Sequence, residues 1–288
     1  MLGTLLKYEL KASARTLLPL YAGTLLVALI CGISTAIQVN NMRQFKQSMV
    51  YGTTITYSSF SDPIDGGINT FIGISMLLVF AFCVAVTVLT VMSVVQRFNH
   101  GIAGNEGYLV FTLPVKHETL LASKLLGAFI WTLASLLVFF LVGALIGGPS
   151  LFAERAFFDW AYLWERIWTF VQNYSLTSTI LLTAVNALLT IISVIVTIYL
   201  AIMVGQMEQF NKYRVAVAVV AFFVISWVFS LIENLLMGWS GVRMTPEYVS
   251  DLYHNYNMIV GIDSLFTLLF SILCFAGTAW MMKKKLNL

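Results

Sequence analysis

Three histidines, His100, His117 and His254, and three cysteines, Cys31, Cys83 and Cys274, are the side chains best suited by type to hold a metal or serve a nucleophile. Their spacing suits neither task. The histidines are scattered, no HExxH pair occurs, and the cysteines lack disulfide or zinc spacing. All three cysteines fall in apolar runs, where cysteine packs as a small hydrophobe. No GxSxG elbow and no GxxxxGK[ST] phosphate loop is present. His117 and Glu118 are adjacent, and adjacent helical residues point in different directions, so the two read as a solvated face. The chain is expected to carry no catalytic residue, metal ligand or cofactor of its own and is not read as an enzyme.

What remains is a question of medium. The 288 residues are 59% hydrophobic and only 10% charged, against about 25% charged in an average soluble domain. Several apolar runs reach about 20 residues, the length that crosses a hydrocarbon core roughly 30 Å thick. Continuous rather than alternating apolar runs indicate helices and not barrel strands. The expected fold is an all-α polytopic membrane protein, a single membrane domain over 1–288. Its six spans are placed near 17–37, 70–96, 125–147, 176–204, 215–237 and 259–282.

Six spans put both termini on one side, and basic residues in the short loops indicate which. With the termini inside, eleven lysines and arginines lie inside and five outside. The net charge of +3 is small and carries no nucleic-acid signal. The opening has no small-x-small pattern of a cleaved leader.

Several polar features stand out against this background. Lys7, Lys11 and Arg15 recur every four residues within 1–16, with Leu2, Leu5, Leu6 and Leu10 opposite. This is the pattern of an amphipathic helix on an anionic inner leaflet. Glu9 falls inside the apolar arc, so either the helix packs against protein there or Glu9 snorkels to water. On the outer side, residues 157–172 place Trp160, Trp164 and Trp168 on one arc, which suits an interfacial helix acting as anchor or as gate. Thr245-Pro246-Glu247 resembles a second outer helix start. Within the spans Glu233 and Asp263 are the notable acids, both near the outer interface, where hydration or function could explain them. Gly143 and Gly147 form a GxxxG match that either allows close helix packing or arises by chance among 19 glycines.

The stretch NEGYLVFTLPVKHETLLASK, 105–124, is too polar to cross a membrane. A short helix fits from Asn105 or Glu106 to Leu113, with acidic charge at its positive end and Pro114 closing it. Asn105, Glu106, Gly107, Tyr108, Phe111, Leu113 and Pro114 would form a partly aromatic surface just below the bilayer.

The run GNEGYLVFTLPV at 104–115, followed by Ser123-Lys124-Leu125-Leu126, resembles the loop between the second and third spans of ABC-2 type transporter permeases. The opening Leu-Leu-Lys-Tyr-Glu-Leu-Lys-Ala, 5–12, is similar to the start of the small permeases of this family from Gram-positive bacteria. The resemblance implies a non-catalytic permease subunit in a bacterial cytoplasmic membrane, with cytoplasmic termini and two permease copies or related permeases forming the path. It implies a separate ATP-binding subunit that powers export of an amphipathic or hydrophobic substrate. It also makes 104–114 a coupling helix, with the N-terminal helix and Glu9 beside it. The alternative from the residues alone is a non-transporting sensor or immunity protein that sequesters a toxic peptide at the tryptophan-bearing outer helix.

Overall fold

A computed structural model describes residues 2–50, 63–99, 117–153, 164–166, 168–169, 176–207, 213–239 and 249–285. Among them six long helices follow one another: α1 (Leu2–Val50), α2 (Pro63–Phe98), α3 (His117–Ala153), α4 (Leu176–Gly205), α5 (Arg214–Trp239) and α6 (Val249–Lys285). Each contains a stretch long and apolar enough to cross a membrane, Leu6–Val39, Gly67–Phe98, Thr119–Gly148, Thr177–Gly205, Arg214–Leu236 and Asn255–Lys283. The chain is an all-α, multi-pass membrane protein. In such a protein each backbone N–H and C=O finds its partner within its own helix, which leaves the side chains free to face lipid.

The first element departs from the expected division. An interfacial helix over 1–16 and a span from 17 are joined in one helix that runs through Pro19. Proline removes one amide donor, but the flanking turns are held by burial of Leu17 and Tyr21. Thr24 adds Oγ1 hydrogen bonds to the Leu20 and Tyr21 carbonyls at 3.1 and 2.7 Å.

The chain divides into two compact units. One comprises residues 11–91 and 131–163. Its core is formed by Leu17, Tyr21, Ala28 and Cys31 of α1, Val79 and Val86 of α2, and Val138 and Val142 of α3. Hydroxyls tie the three helices together inside this greasy packing. Ser135 Oγ lies 2.7 Å from Tyr21 Oη and 2.8 Å from Thr90 Oγ1. Such bonds between membrane helices contribute about 0.6 kcal/mol on average.

Of the two readings of the Gly143–Gly147 pair, close packing is not the one observed. Among the described residues nothing lies within 4 Å of where a Cβ on Gly143 or Gly147 would sit. The tight contact is made by Gly32 of α1, where a Cβ would overlap the Leu145 carbonyl of α3. Missing volume on one helix lets the backbone of the other come in.

The other unit comprises residues 1–10, 92–130 and 164–288. Here α4 packs along α6 and against α5. Its core joins Val94 and Phe98 of α2, Leu120, Leu121 and Ala128 of α3, Ile195, Tyr199, Ile202 and Met203 of α4, and Met282 of α6. Gly205 lets the end of α4 pass the start of α5, since a Cβ there would stand 2.5 Å from the Arg214 carbonyl oxygen and 2.9 Å from Ala218 Cβ.

Gly32→Ala should push α1 from α3 and destabilise the protein by about 1–3 kcal/mol, whereas Gly143→Ala should be neutral or slightly stabilising. A thiol-reactive dye monitoring heat-induced release of the buried Cys31 and Cys274 reads the difference in detergent. Equal midpoints for the two variants would contradict the packing.

Candidate functional site

The densest group of charges among the described residues lies in the second unit, where α1, α2 and α3 meet. Glu9 falls on the side of α1 that also carries Leu6 and Leu10, both half-buried. Its Cβ lies against the bare backbone of Gly127, 3.6 Å from where a Cβ on that glycine would be. From this position the carboxylate meets two cations. Arg97 Nη1 donates to Glu9 Oε2 at 2.6 Å, and Lys124 Nζ donates to Oε1 at 2.9 Å. Arg97 also donates to the Glu9 backbone carbonyl. Lys124 Nζ reaches back to the Arg97 carbonyl at 3.1 Å.

Further contacts surround the cluster. Tyr199 of α4, almost wholly buried, donates its phenol proton to the Lys124 carbonyl at 3.2 Å. Phe98 stacks on the Tyr199 ring, with centroids 4.2 Å apart and planes 12° from parallel. Gln206 Nε2 donates to Asn99 Oδ1 at 3.2 Å. The last turn of α2 is thus bound to α1, α3 and the C-terminal part of α4.

The location of these contacts gives them meaning. Arg97 stands just before residues 100–116, and Lys124 two helical turns beyond them. One carboxylate therefore holds both flanks of that connection. Lys124 has only 7% of its side chain exposed, while Glu9 and Arg97 have 24% each. Charged hydrogen bonds in such a setting are stronger than neutral ones. Removing the shared acid would strand a buried ammonium, which is worse than never having buried the pair. Two cations around one carboxylate leave the cluster one positive charge in excess.

Of the two readings for Glu9, contact with protein is the one observed. Lys7, Lys11 and Arg15 are all exposed, on the opposite side of α1. Asn105, Glu106, Gly107, Tyr108, Phe111, Leu113 and Pro114 lie outside the described residues, as do Trp160 and Thr245-Pro246-Glu247. Trp164 and Trp168 lie on helical turns, 69% and 54% exposed. Thr169 Oγ1 caps that segment's own Glu165 and Arg166 carbonyls at 2.9 and 3.0 Å. Exposed tryptophans one turn apart fit an interfacial anchor.

In the sequence Arg97 is one of the loop-flanking basic residues, and Lys124 is that and a member of the Ser123-Lys124-Leu125-Leu126 run. Their role depends on Glu9, which lies 88 and 115 positions away. The available signal was the acid in an apolar arc. Tyr199, Asn99 and Gln206 carry no such sign.

A second polar group joins α4, α5 and α6. Asn186 Nδ2 donates to Asp263 Oδ2 at 2.7 Å, and Glu233 lies within hydrogen-bonding reach of Asp263. The two span acids noted in the sequence thus lie close to each other, and the Asn186 amide bonds one of them, Asp263. Asn186 Oδ1, Thr179 Oγ1 and Asn257 Oδ1 are buried without a hydrogen-bond partner among the described residues. No group of three His, Cys, Asp or Glu side chains suited to a metal occurs among the described residues.

Comparison with family models, curated proteins and solved structures returns no match. The likeness of residues 5–12 and 104–115 to ABC-2 permeases rests on those residues alone.

Glu9→Gln should destabilise the protein by about 2–3 kcal/mol, seen as a lower melting midpoint in detergent. Glu9→Gln combined with Lys124→Gln should recover part of the loss, because the stranded ammonium is gone. A double variant less stable than the single one would remove the charge cluster from the account.

Proposed function

We propose that the chain is the membrane subunit of an ATP-driven exporter of the ABC-2 permease type, non-catalytic itself. In this reading it works with a separate ATP-binding subunit and a second permease copy, and both termini face the cytoplasm. The observation that carries the reading is the grip of Glu9 on Arg97 and Lys124. A loop that docks a soluble motor must pass its displacement to spanning helices, and a slack connection would absorb it. Here the flanks of 100–116 are bound to α1 and α3 by charge and to α4 by Tyr199 and Gln206. A push on the loop would move these helix ends together.

Glu106, Tyr108 and Phe111 would supply the docking surface, with Pro114 ending the helix that bears them. Energy has to come from outside, since the chain has no nucleotide-binding motif. The polar group of Asn186, Glu233 and Asp263 would hold α4, α5 and α6 in register. Exported cargo would be amphipathic or hydrophobic, as the resemblance implies.

Co-expression with an ATP-binding subunit encoded beside the gene, followed by purification through a tag on the permease, tests the assignment. The two subunits should co-purify, and the permease should change the ATPase rate. Glu106→Ala with Tyr108→Ala should weaken association by about thirty-fold, the effect of losing a hot spot of about 2 kcal/mol. Failure to co-purify, with an ATPase rate indifferent to the permease, would overturn the reading.

A further inference from the structure

The exporter reading leaves the basic face of α1 unexplained. Glu9 is the sole acid of α1, and its pairing with Arg97 and Lys124 fixes the rotation of that helix. At 100° per residue, Lys7, Lys11 and Arg15 then lie about 160°, 200° and 240° around from Glu9. All three are exposed and have no polar partner among the described residues. The same face continues beyond Arg15 with a change of character. Leu18, Leu26 and Leu29 follow on it, 57%, 63% and 43% exposed, with Ala22 between them. The face is cationic for about 12 Å and then apolar.

Depth along the helix fits this change. The stretch Leu6–Val39 has 34 residues, about 51 Å of helix, whereas the hydrocarbon core is about 30 Å thick. If the apolar run from Leu17 fills the core, Lys7, Lys11 and Arg15 fall at headgroup level, with Arg15 at the hydrocarbon boundary. A cation there lowers its energy by reaching a phosphate, and arginine can hold one through two parallel N–H donors. An acidic protein or a soluble polyanion would match the cations but not the exposed leucines beneath them. A molecule with an anionic head and an apolar tail matches both.

We propose that the face of α1 formed by Lys7, Lys11, Arg15 and Leu18 is a binding site for an anionic phospholipid, its phosphate on the three cations and its acyl chain along Leu18, Ala22 and Leu26. The site is independent of the exporter reading and survives if that reading fails. It gives α1 a second restraint: Glu9 holds the helix to protein on one side, and lipid phosphate holds it to the membrane on the other.

Full-length protein equilibrated in mixed micelles with equal parts of phosphatidylglycerol and phosphatidylethanolamine, then examined by native mass spectrometry, tests the site. The wild type should retain phosphatidylglycerol in preference. Lys7→Gln, Lys11→Gln and Arg15→Gln together should reduce the retention ratio at least about five-fold, the loss expected for even one such cation at a membrane surface. Lys283→Gln, Lys284→Gln and Lys285→Gln together remove the same charge from the basic tail and should leave the ratio near that of the wild type. Lys7→Arg, Lys11→Arg and Arg15→Lys together should preserve it. The proposal fails if the wild type shows no preference, which would leave the stripe to an acidic protein or a second copy. It fails equally if the tail variant loses as much as the stripe variant, or if the charge-preserving variant loses the preference.

Discussion

One carboxylate with two cations on it is the constraint on which the packing around residues 97 and 124 depends. A membrane protein with so few charges gains little by burying one at random, because desolvation costs several kcal/mol per ion after relaxation. Glu9 offsets that cost by serving Arg97 and Lys124 together, each with a further backbone carbonyl to satisfy a remaining donor. The geometry also sets the orientation of α1. With Glu9 turned inward, Lys7, Lys11 and Arg15 turn out on the other side of the helix.

Elsewhere the same economy of polar groups recurs in weaker form. Tyr21, Thr90 and Ser135 share hydroxyl bonds among α1, α2 and α3 within the unit of residues 11–91 and 131–163. Asn186, Asp263 and Glu233 link α4, α6 and α5 within the other. In each group one side chain, Ser135 or Asp263, is the hub for side chains of two other helices. Lipid tails offer no hydrophobic gradient to drive one apolar helix onto another, so contacts of this kind, with close-packing points such as Gly32, specify which helices pair.

Much of this architecture was legible in the sequence, for a simple reason. A span needs length and apolarity, both local properties, and each of the five later expected spans overlaps an apolar helical stretch whose ends differ by one to six residues. The first apolar stretch begins eleven residues before its expected start at 17, because the helix of 1–16 continues through Pro19 into the span. The site was only half legible. Glu9 was conspicuous as an acid on a greasy arc, but which cations it meets depends on folding across 88 and 115 positions. Serine and threonine are common in membrane helices, so nothing marked Ser135 or Thr90. The GxxxG pair pointed to the right part of α3 and the wrong residue, since the helix that needed to be thin there was α1.

Glu9 holds both flanks of the 100–116 connection. Amide hydrogen exchange read by mass spectrometry on wild type and Glu9→Gln addresses this directly. Removing the charge should raise exchange at least about ten-fold in the last turn of α2, 95–98, and the first turns of α3, 117–127, with residues 136–146 of α3 unchanged. Unaltered exchange in both flanks, or a uniform rise along α3, would contradict the claim.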